Sequence, residues 1–255
     1  MANDVSYIRL DSGLFTAPQV ELWGVLIDIS ERVAKHWTLI GGQMVQLHGL
    51  ENDQTPPAAT TDLDVLADVQ ANQHSLRQLV LVLNDLGFES AGMSSLGNVA
   101  HRYYRGEGPG KLLVDVLAPD KLGQRVDLTT TPPGRTIEVP GGRQAISRTQ
   151  PVHVKLGTRT GVIYRPSLLG SIIAKASALS IKTAPPDRHY RDLAFLLTLV
   201  TDPLALKDQL TASDKKQLRL AQALHDPTHS AWRDLGDEEA RLDGQSVYRL
   251  LSPAV

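Results

Sequence analysis

The stretches WTLIGGQMVQLHGL, residues 37–50, and TDLDVL, residues 61–66, together decide the fold of this chain. The first stretch opens with four β-prone residues that stop at a glycine pair, and a helical pattern follows from Gln43 to about Leu50. A polar segment with two prolines comes next, which predicts a loop. The second stretch alternates polar and apolar side chains, so it predicts another strand. A strand, two glycines and a helix in succession are typical of a turn that faces phosphate groups.

The second stretch carries two aspartates, Asp62 and Asp64, on what we expect to be one face of the strand. Their Cβ atoms should lie within roughly 7 Å of each other. Two like charges at that distance repel unless a cation sits between them. A divalent metal with oxygen ligands, Mg²⁺ or Mn²⁺, would resolve the repulsion. The alternative is an edge strand with two solvent-facing aspartates.

A third aspartate, Asp115, interrupts the otherwise apolar strand-like run KLLVDVL, residues 111–117. A lone carboxylate in such a strand needs a partner or a metal. If this strand neighbours residues 61–66, Asp115 completes a cluster of three carboxylates for two-metal phosphoryl transfer. It would be a third metal ligand or the acceptor of the attacking hydroxyl's proton. A structural ion pair with Arg102 or Arg105 is the alternative.

The glycine pair, Gly41-Gly42, allows close approach to the backbone. Its amide groups and the helix that starts at Gln43 would hold a triphosphate, so these three residues are the predicted nucleotide-binding positions. Read without the aspartates, the same glycines are compatible with an ordinary tight turn.

The chain as a whole divides into two parts, 1–165 and 166–255. We predict an α/β (α+β) fold, in which a mixed sheet flanked by helices is followed by a helical C-terminal half. Helices are indicated at Pro18–His36, Gln73–Leu86, Leu168–Leu179, Arg188–Val200 and Ser213–Leu224, with Gly87 and Ser213 as caps, and a further strand at Val99–Arg105. Short β-prone runs over residues 125–165 predict hairpins or an excursion beside the sheet. His48, on an apolar helix face, is expected to be a packed core histidine.

Composition and charge narrow the class of protein. The 255 residues are 42% hydrophobic and 21% charged, with no cysteine and no apolar run long enough to cross a membrane. We therefore expect a cytoplasmic protein without disulfides or membrane association. Residues 1–70 hold three Lys/Arg against ten Asp/Glu, and residues 102–165 hold eleven against five. An acidic head and a basic middle fit a protein that handles a metal and a polyanion, although scattered surface charge gives the same counts.

Together, Gly41-Gly42, the Asp62-Leu63-Asp64 strand and Asp115 on a later strand resemble the signature of the polymerase-β-like nucleotidyltransferase superfamily. In the C-terminal half, Arg165-Pro166, Ile173-Ala174-Lys175-Ala176 and residues 187–194 (DRHYRDLA) resemble the AbiEii/AbiGii toxin family, which includes the MenT-type toxins. The resemblance covers roughly residues 20–225.

The resemblance implies a toxin of a toxin–antitoxin or abortive-infection system. Such an enzyme moves a nucleoside monophosphate from an NTP to an acceptor hydroxyl, with tRNA as acceptor and an antitoxin protein as partner. It also implies that Lys175 neutralises triphosphate charge and that Asp192 faces the cleft near Lys175. The alternatives are a Lys175 side chain that extends to solvent and an Asp192 that pairs with Arg191 on the helix surface.

Two departures from the family pattern affect the function. Gly42 stands where many members carry a serine, and nineteen residues separate Gly42 from Asp62, which is a longer spacing than usual. These departures predict a nucleotide affinity or preference different from that of better-known members. Two other functions stay open as alternatives. One is a nucleotidyltransferase that modifies a small molecule, such as an antibiotic. The other is a degenerate domain that binds a nucleotide or a protein partner without turnover.

Overall fold

The structure is a computed structural model that describes residues 6–10, 12–56, 60–94, 97–182 and 185–253. The strands are Ile8–Arg9 (β1), Trp37–Ile40 (β2), Asp62–Ala67 (β3), Glu89–Ser90 (β4), Arg102–Arg105 (β5), Leu112–Pro119 (β6), Thr129–Thr131 (β7), Gly134–Arg135 (β8), Glu138–Val139 (β9), Thr149–Leu156 (β10) and Arg159–Pro166 (β11). The α-helices are Ala17–Arg32 (α1), Gly41–Glu51 (α2), Ser75–Asp85 (α3), Gly142–Ser147 (α4), Leu168–Ala178 (α5), Pro186–Thr198 (α6), Pro203–Asp208 (α7), Ala212–Leu218 (α8), Ser230–Arg233 (α9) and Glu238–Leu251 (α10). Short 3₁₀ segments lie at Ser12–Leu14, Gly108–Gly110 and Arg219–His225.

The main sheet is mixed, with the order β2-β3-β6-β5-β4, and β9 extends it beside β6. β3 and β6 run parallel at its centre, and the remaining neighbours on the path are antiparallel. These two central strands bury apolar side chains such as Val65 and Val116 completely, as expected of strands covered on both faces. The predicted mixed α/β architecture is confirmed.

The region 125–165 contains more than short hairpins. β10 and β11, of eight residues each, form an antiparallel hairpin. β1 pairs with β10 in parallel and completes a second sheet. α1 packs against β11, and β11 packs against β2, so this second sheet adjoins the first. The prediction missed the N-terminal strand and the short helix α4. The pair β7–β8 forms a separate small hairpin.

The helical half begins as predicted but differs at one cap. Ser213 is not the N-cap of α8, because Thr211 holds that position: its hydroxyl accepts from the amide of Asp214, whose carboxylate accepts from the amide of Thr211. Asp214 is fully buried and also accepts a hydrogen bond from Arg148 at 2.7 Å. The α-helix ends at Leu218 and continues as a 3₁₀ segment.

Most buried apolar side chains, from both halves of the chain, belong to one cluster that runs from Leu10 to Leu251, and Leu66, Leu117 and Ala145 form a second, smaller one. α6 is central to the larger cluster, because it contacts α2, α5, α9 and α10. His48 of α2 is buried in this region and bonds the hydroxyl of Ser171 at 2.7 Å, so the prediction of a packed histidine is confirmed. Within the described ranges, no helix has both the length and the apolarity that a membrane crossing requires.

Candidate active site

The central pair of parallel strands places the three predicted aspartates on one face of the sheet. Asp64 of β3 lies directly opposite Asp115 of β6 in the parallel register. Paired residues of neighbouring strands project to the same face, and so do residues two apart on one strand. Asp62 therefore shares that face. The structure confirms the predicted arrangement of neighbouring strands.

Asp115 is buried, and its carboxylate is fully engaged by an arginine. Arg102, its partner on β5, donates from Nε and Nη2 to the two carboxylate oxygens at 2.8 and 2.7 Å. The imidazole Nε2 of His101 lies 3.9 Å from the same carboxylate. The ion pair considered from the sequence is therefore present, and it uses Arg102 rather than Arg105, which binds Glu21.

Asp62 is also paired. Its carboxylate accepts a hydrogen bond from the hydroxyl of Thr60 at 2.5 Å, and Nη2 of Arg188 on α6 lies 3.3 Å away. Burial would raise the pKa of Asp62, but the Thr60 bond and the charge of Arg188 outweigh burial and hold the pKa below its usual value. Asp62 is therefore a stable anion in the metal-free protein.

Asp64 differs from its two neighbours because its negative charge is not compensated. Burial, followed by repulsion from Asp62 and Asp115, raises the pKa of Asp64 to about 7. Lys175 and Arg188 oppose this shift but do not cancel it. A carboxylate that two like charges push toward protonation is a place where a cation would bind favourably.

The chemistry of the three carboxylates suits a hard divalent cation such as Mg²⁺. As the side chains are placed, however, no group of three or more metal-ligating residues in the described part of the chain is arranged to hold an ion. Asp115 and Asp62 are instead paired with Arg102 and Arg188. The donors therefore fit the metal by type, and they would bind it only after exchanging arginine contacts for metal contacts.

The glycine turn directly contacts the aspartate face. α2 starts at Gly41, two residues earlier than predicted, and Gly41 has a φ of 74°. A Cβ on Gly41 would overlap the carboxylate of Asp64, and one on Gly42 would lie 2.6 Å from both Arg188 and Thr60. Both positions therefore require glycine. The side chain of Gln43 is completely buried, and the predicted role of this residue in nucleotide binding stays a prediction.

Lys175 and Asp192 form a buried ion pair beside this turn. Nζ of Lys175 on α5 donates to Oδ2 of Asp192 on α6 at 2.6 Å, and each residue is at most 5% exposed. Lys175 does not extend to solvent, and Asp192 does not pair with Arg191, which binds Asp234. The two residues lie together as the resemblance implies.

A cavity of about 170 Å³ opens between the aspartate face and the helical half. Its polar wall comes from Gly41, Asp64, Lys175 and His189, and the rest is mostly apolar and includes Ile40, Met44, Leu117, Val139, Ala145 and Ala178. Burial, assisted by the charge of Lys175, lowers the pKa of His189 to about 4. Thr60, Arg188 and His189 were not predicted as site residues, although the last two stand in the DRHYRDLA segment that carries the family resemblance.

Comparison with known proteins finds no family model, curated protein or solved structure that matches this chain. The resemblance to the AbiEii/AbiGii family therefore stays a prediction, and the geometry of the cleft is the basis for any functional assignment.

Proposed function

We propose that this protein is a metal-dependent nucleotidyltransferase that transfers a nucleoside monophosphate from an NTP to an acceptor hydroxyl. The single observation that carries the proposal is the uncompensated carboxylate of Asp64. It lies between Asp62 and Asp115 on one sheet face and against the glycine turn at Gly41. Like charges gathered at a turn that accepts no side chain are typical of a site that binds a metal and a phosphate chain.

The residues of the site would have the following roles. Backbone amides at Gly41 and Gly42, at the N-terminus of α2, would bind the phosphates. Asp62, Asp64 and Asp115 would hold Mg²⁺ or Mn²⁺, which when bound neutralises the phosphate charge and orients the reacting groups. Arg188 is 43% exposed in its side chain, so it can turn from Asp62 to the triphosphate.

In the reaction, the acceptor oxygen bonds to the α-phosphorus of the NTP while the bond to the bridging oxygen breaks and pyrophosphate leaves. The proton of the acceptor hydroxyl must pass to a carboxylate of the cleft. Once the metal displaces Arg102 from the two oxygens of Asp115, Asp115 would be the third metal ligand or the acceptor of this proton. The buried pair of Lys175 and Asp192 would fix α5 and α6 around the triphosphate, with Lys175 adding positive charge.

The acceptor and the biological setting rest on the family resemblance. It supports tRNA as acceptor, an antitoxin protein as partner and a toxin–antitoxin or abortive-infection role, while the absence of cysteine from the sequence fits a cytoplasmic location. A small-molecule acceptor, as in enzymes that modify antibiotics, would use the same chemistry at the same aspartates.

A second candidate function is a nucleotide-binding module without turnover. The observation that favours it is the pairing of two of the three aspartates with arginines. In such a module Arg102 and Arg188 would replace the metal permanently. The nucleotide would then bind without being consumed.

The test is to incubate the protein with each α-labelled NTP, Mg²⁺ or Mn²⁺ and total RNA, and to follow both the label and NTP consumption. We expect transfer that stops with EDTA and falls on the order of 10² to 10³ in Asp64→Asn. Lys182→Ala, at an exposed position, is the control and should retain full activity. Labelled RNA identifies a nucleic-acid acceptor. Tight NTP binding without consumption would refute the enzymatic function and support the nucleotide-binding module without turnover.

A further inference from the structure

The cavity beside Asp64 is too small to hold a whole nucleotide. Its volume is about 170 Å³, below the roughly 300–1,000 Å³ of pockets that enclose a complete drug-sized ligand. It therefore takes one part of the substrate, and the chemistry of its walls decides which part.

Most of the wall is apolar. Leu117 of β6, Val139 of β9, Ala145 of α4 and Ala178 of α5 line one side, together with Ile181. A triphosphate would lose its hydration against such side chains without gaining hydrogen bonds. The phosphates would bind more favourably at the open polar edge formed by Gly41 and Asp64. The apolar interior suits the flat, weakly hydrated ring of a nucleoside.

His189 supplies a polar group to this wall. The side chain is partly exposed, while its Nδ1 atom is buried and has no hydrogen-bond partner among the described residues. Arg188 and Asp192 flank it on α6, Lys175 faces it from α5, and burial keeps the imidazole neutral. A neutral imidazole carries one N–H. A buried N–H without an acceptor is costlier than a buried lone pair, so the proton belongs on Nε2.

Resting on the nucleotidyltransferase function proposed above, we propose that this cavity is the nucleoside subsite and that Nε2–H of His189 donates a hydrogen bond to the sugar or base. The residue would thus discriminate among nucleotides by a fixed, uncharged donor. It would make no direct contribution to holding the phosphates. A neutral donor suits this position, because an imidazolium would add positive charge beside Lys175.

The experiment measures the Kd of α,β-methylene analogues of the four NTPs, and of inorganic tripolyphosphate, by calorimetry in Mg²⁺. For the analogue that binds the wild type most tightly, His189→Leu should weaken binding about five- to ten-fold, as expected for one hydrogen bond. Tripolyphosphate should bind within about two-fold of wild type. His189→Gln keeps an N–H donor near the Nε2 position and should restore most of the affinity.

Two further variants guard against a folding artefact. Ala178→Leu narrows the cavity from a partly exposed position. It should weaken binding of the nucleotide analogue but not binding of tripolyphosphate. His153→Leu replaces a histidine of β10 that packs against Tyr7 and does not line the cavity. It is the matched control and should bind both ligands as the wild type does.

The outcomes separate the two proposals. If the wild type binds none of the four analogues, the nucleotidyltransferase proposal fails. If the wild type binds an analogue and His189→Leu binds it equally well, the nucleoside subsite alone is wrong. The subsite proposal is also wrong if His189→Leu weakens binding of tripolyphosphate as much as binding of the analogue, because His189 would then contact the phosphates.

Discussion

Replacing Asp64 by asparagine should stabilise the metal-free protein, and the gain should depend on pH. The pKa of Asp64 rises from 3.8 to about 7 on folding, so the folded state binds the proton more tightly than the unfolded state. For a carboxyl group shifted upward, stability is greatest below pH 3.8 and is lost as the pH rises to about 7. Asparagine resembles the protonated acid in size and charge, so the variant avoids this loss.

The size of the effect follows from the shift. At about 1.4 kcal/mol per pKa unit, a shift of about three units sets an upper limit of about 4 kcal/mol above pH 7. Asp64 is partly exposed to the cleft, and solvent screening reduces the realised value to about 1–2 kcal/mol. Below about pH 4 the wild type and Asp64→Asn should have the same free energy of unfolding.

The assay is urea unfolding in EDTA across pH 4 to 8, followed by the fluorescence of the buried tryptophans Trp23, Trp37 and Trp232. Asp62→Asn is the internal control with the opposite sign, because Thr60 and Arg188 hold the pKa of Asp62 below its usual value. It should lose stability at pH 7, although the charge repulsion considered alone predicts a gain for both variants. A less stable Asp64→Asn at pH 8 would refute the reasoning and make Asp64 a structural ion-pair residue.

Three other outcomes can be measured on the same protein. Gly41→Ala should lose about 2 kcal/mol of stability or more and also NTP binding, because its φ is 74° and its new Cβ would overlap Asp64. Gly92→Ala, with a φ of 83° and nothing within 4 Å, should lose only about 1 kcal/mol in urea unfolding and keep NTP binding. Lys175→Met should cost about 3–5 kcal/mol by leaving Asp192 buried and unpaired, and adding Asp192→Leu should recover most of that in urea unfolding. Mg²⁺ should raise the melting temperature of the wild type in calorimetry but not that of Asp64→Asn, and an equal rise in both would place the metal elsewhere.

Local patterns in the sequence were sufficient for much of the sheet and for its acidic face. The β-prone run before Gly41 became β2 with the predicted bounds, and the alternation around Asp62 became β3 within one residue. Alternation fixes which side chains share a face, so the neighbouring positions of Asp62 and Asp64 followed from periodicity alone. The apolar run around Asp115 likewise gave the central strand β6.

Features that depend on long-range pairing were not predictable in the same way. The choice of Arg102 over Arg105 as partner of Asp115 depends on the register of β5 against β6. Arg188 reaches Asp62 across 126 positions of sequence, and the packing of α6 against its neighbouring helices, α2 among them, places it there. β1 has two residues and forms only because β10 provides a partner. None of these contacts has a local signature.

The contrast between the two arginine pairs and the Lys175–Asp192 pair shows how a cleft that is stable without metal would take up the proposed ion. The arginine side chains that neutralise Asp115 and Asp62 are 45% and 43% exposed. Water solvates each released guanidinium, and the carboxylate keeps a positive partner in the metal, so this exchange leaves no unpaired buried charge. The pair of Lys175 and Asp192 has side chains no more than 6% exposed, so breaking it would be far costlier. We therefore expect metal and nucleotide to displace the two arginines while the buried pair keeps α5 and α6 in place.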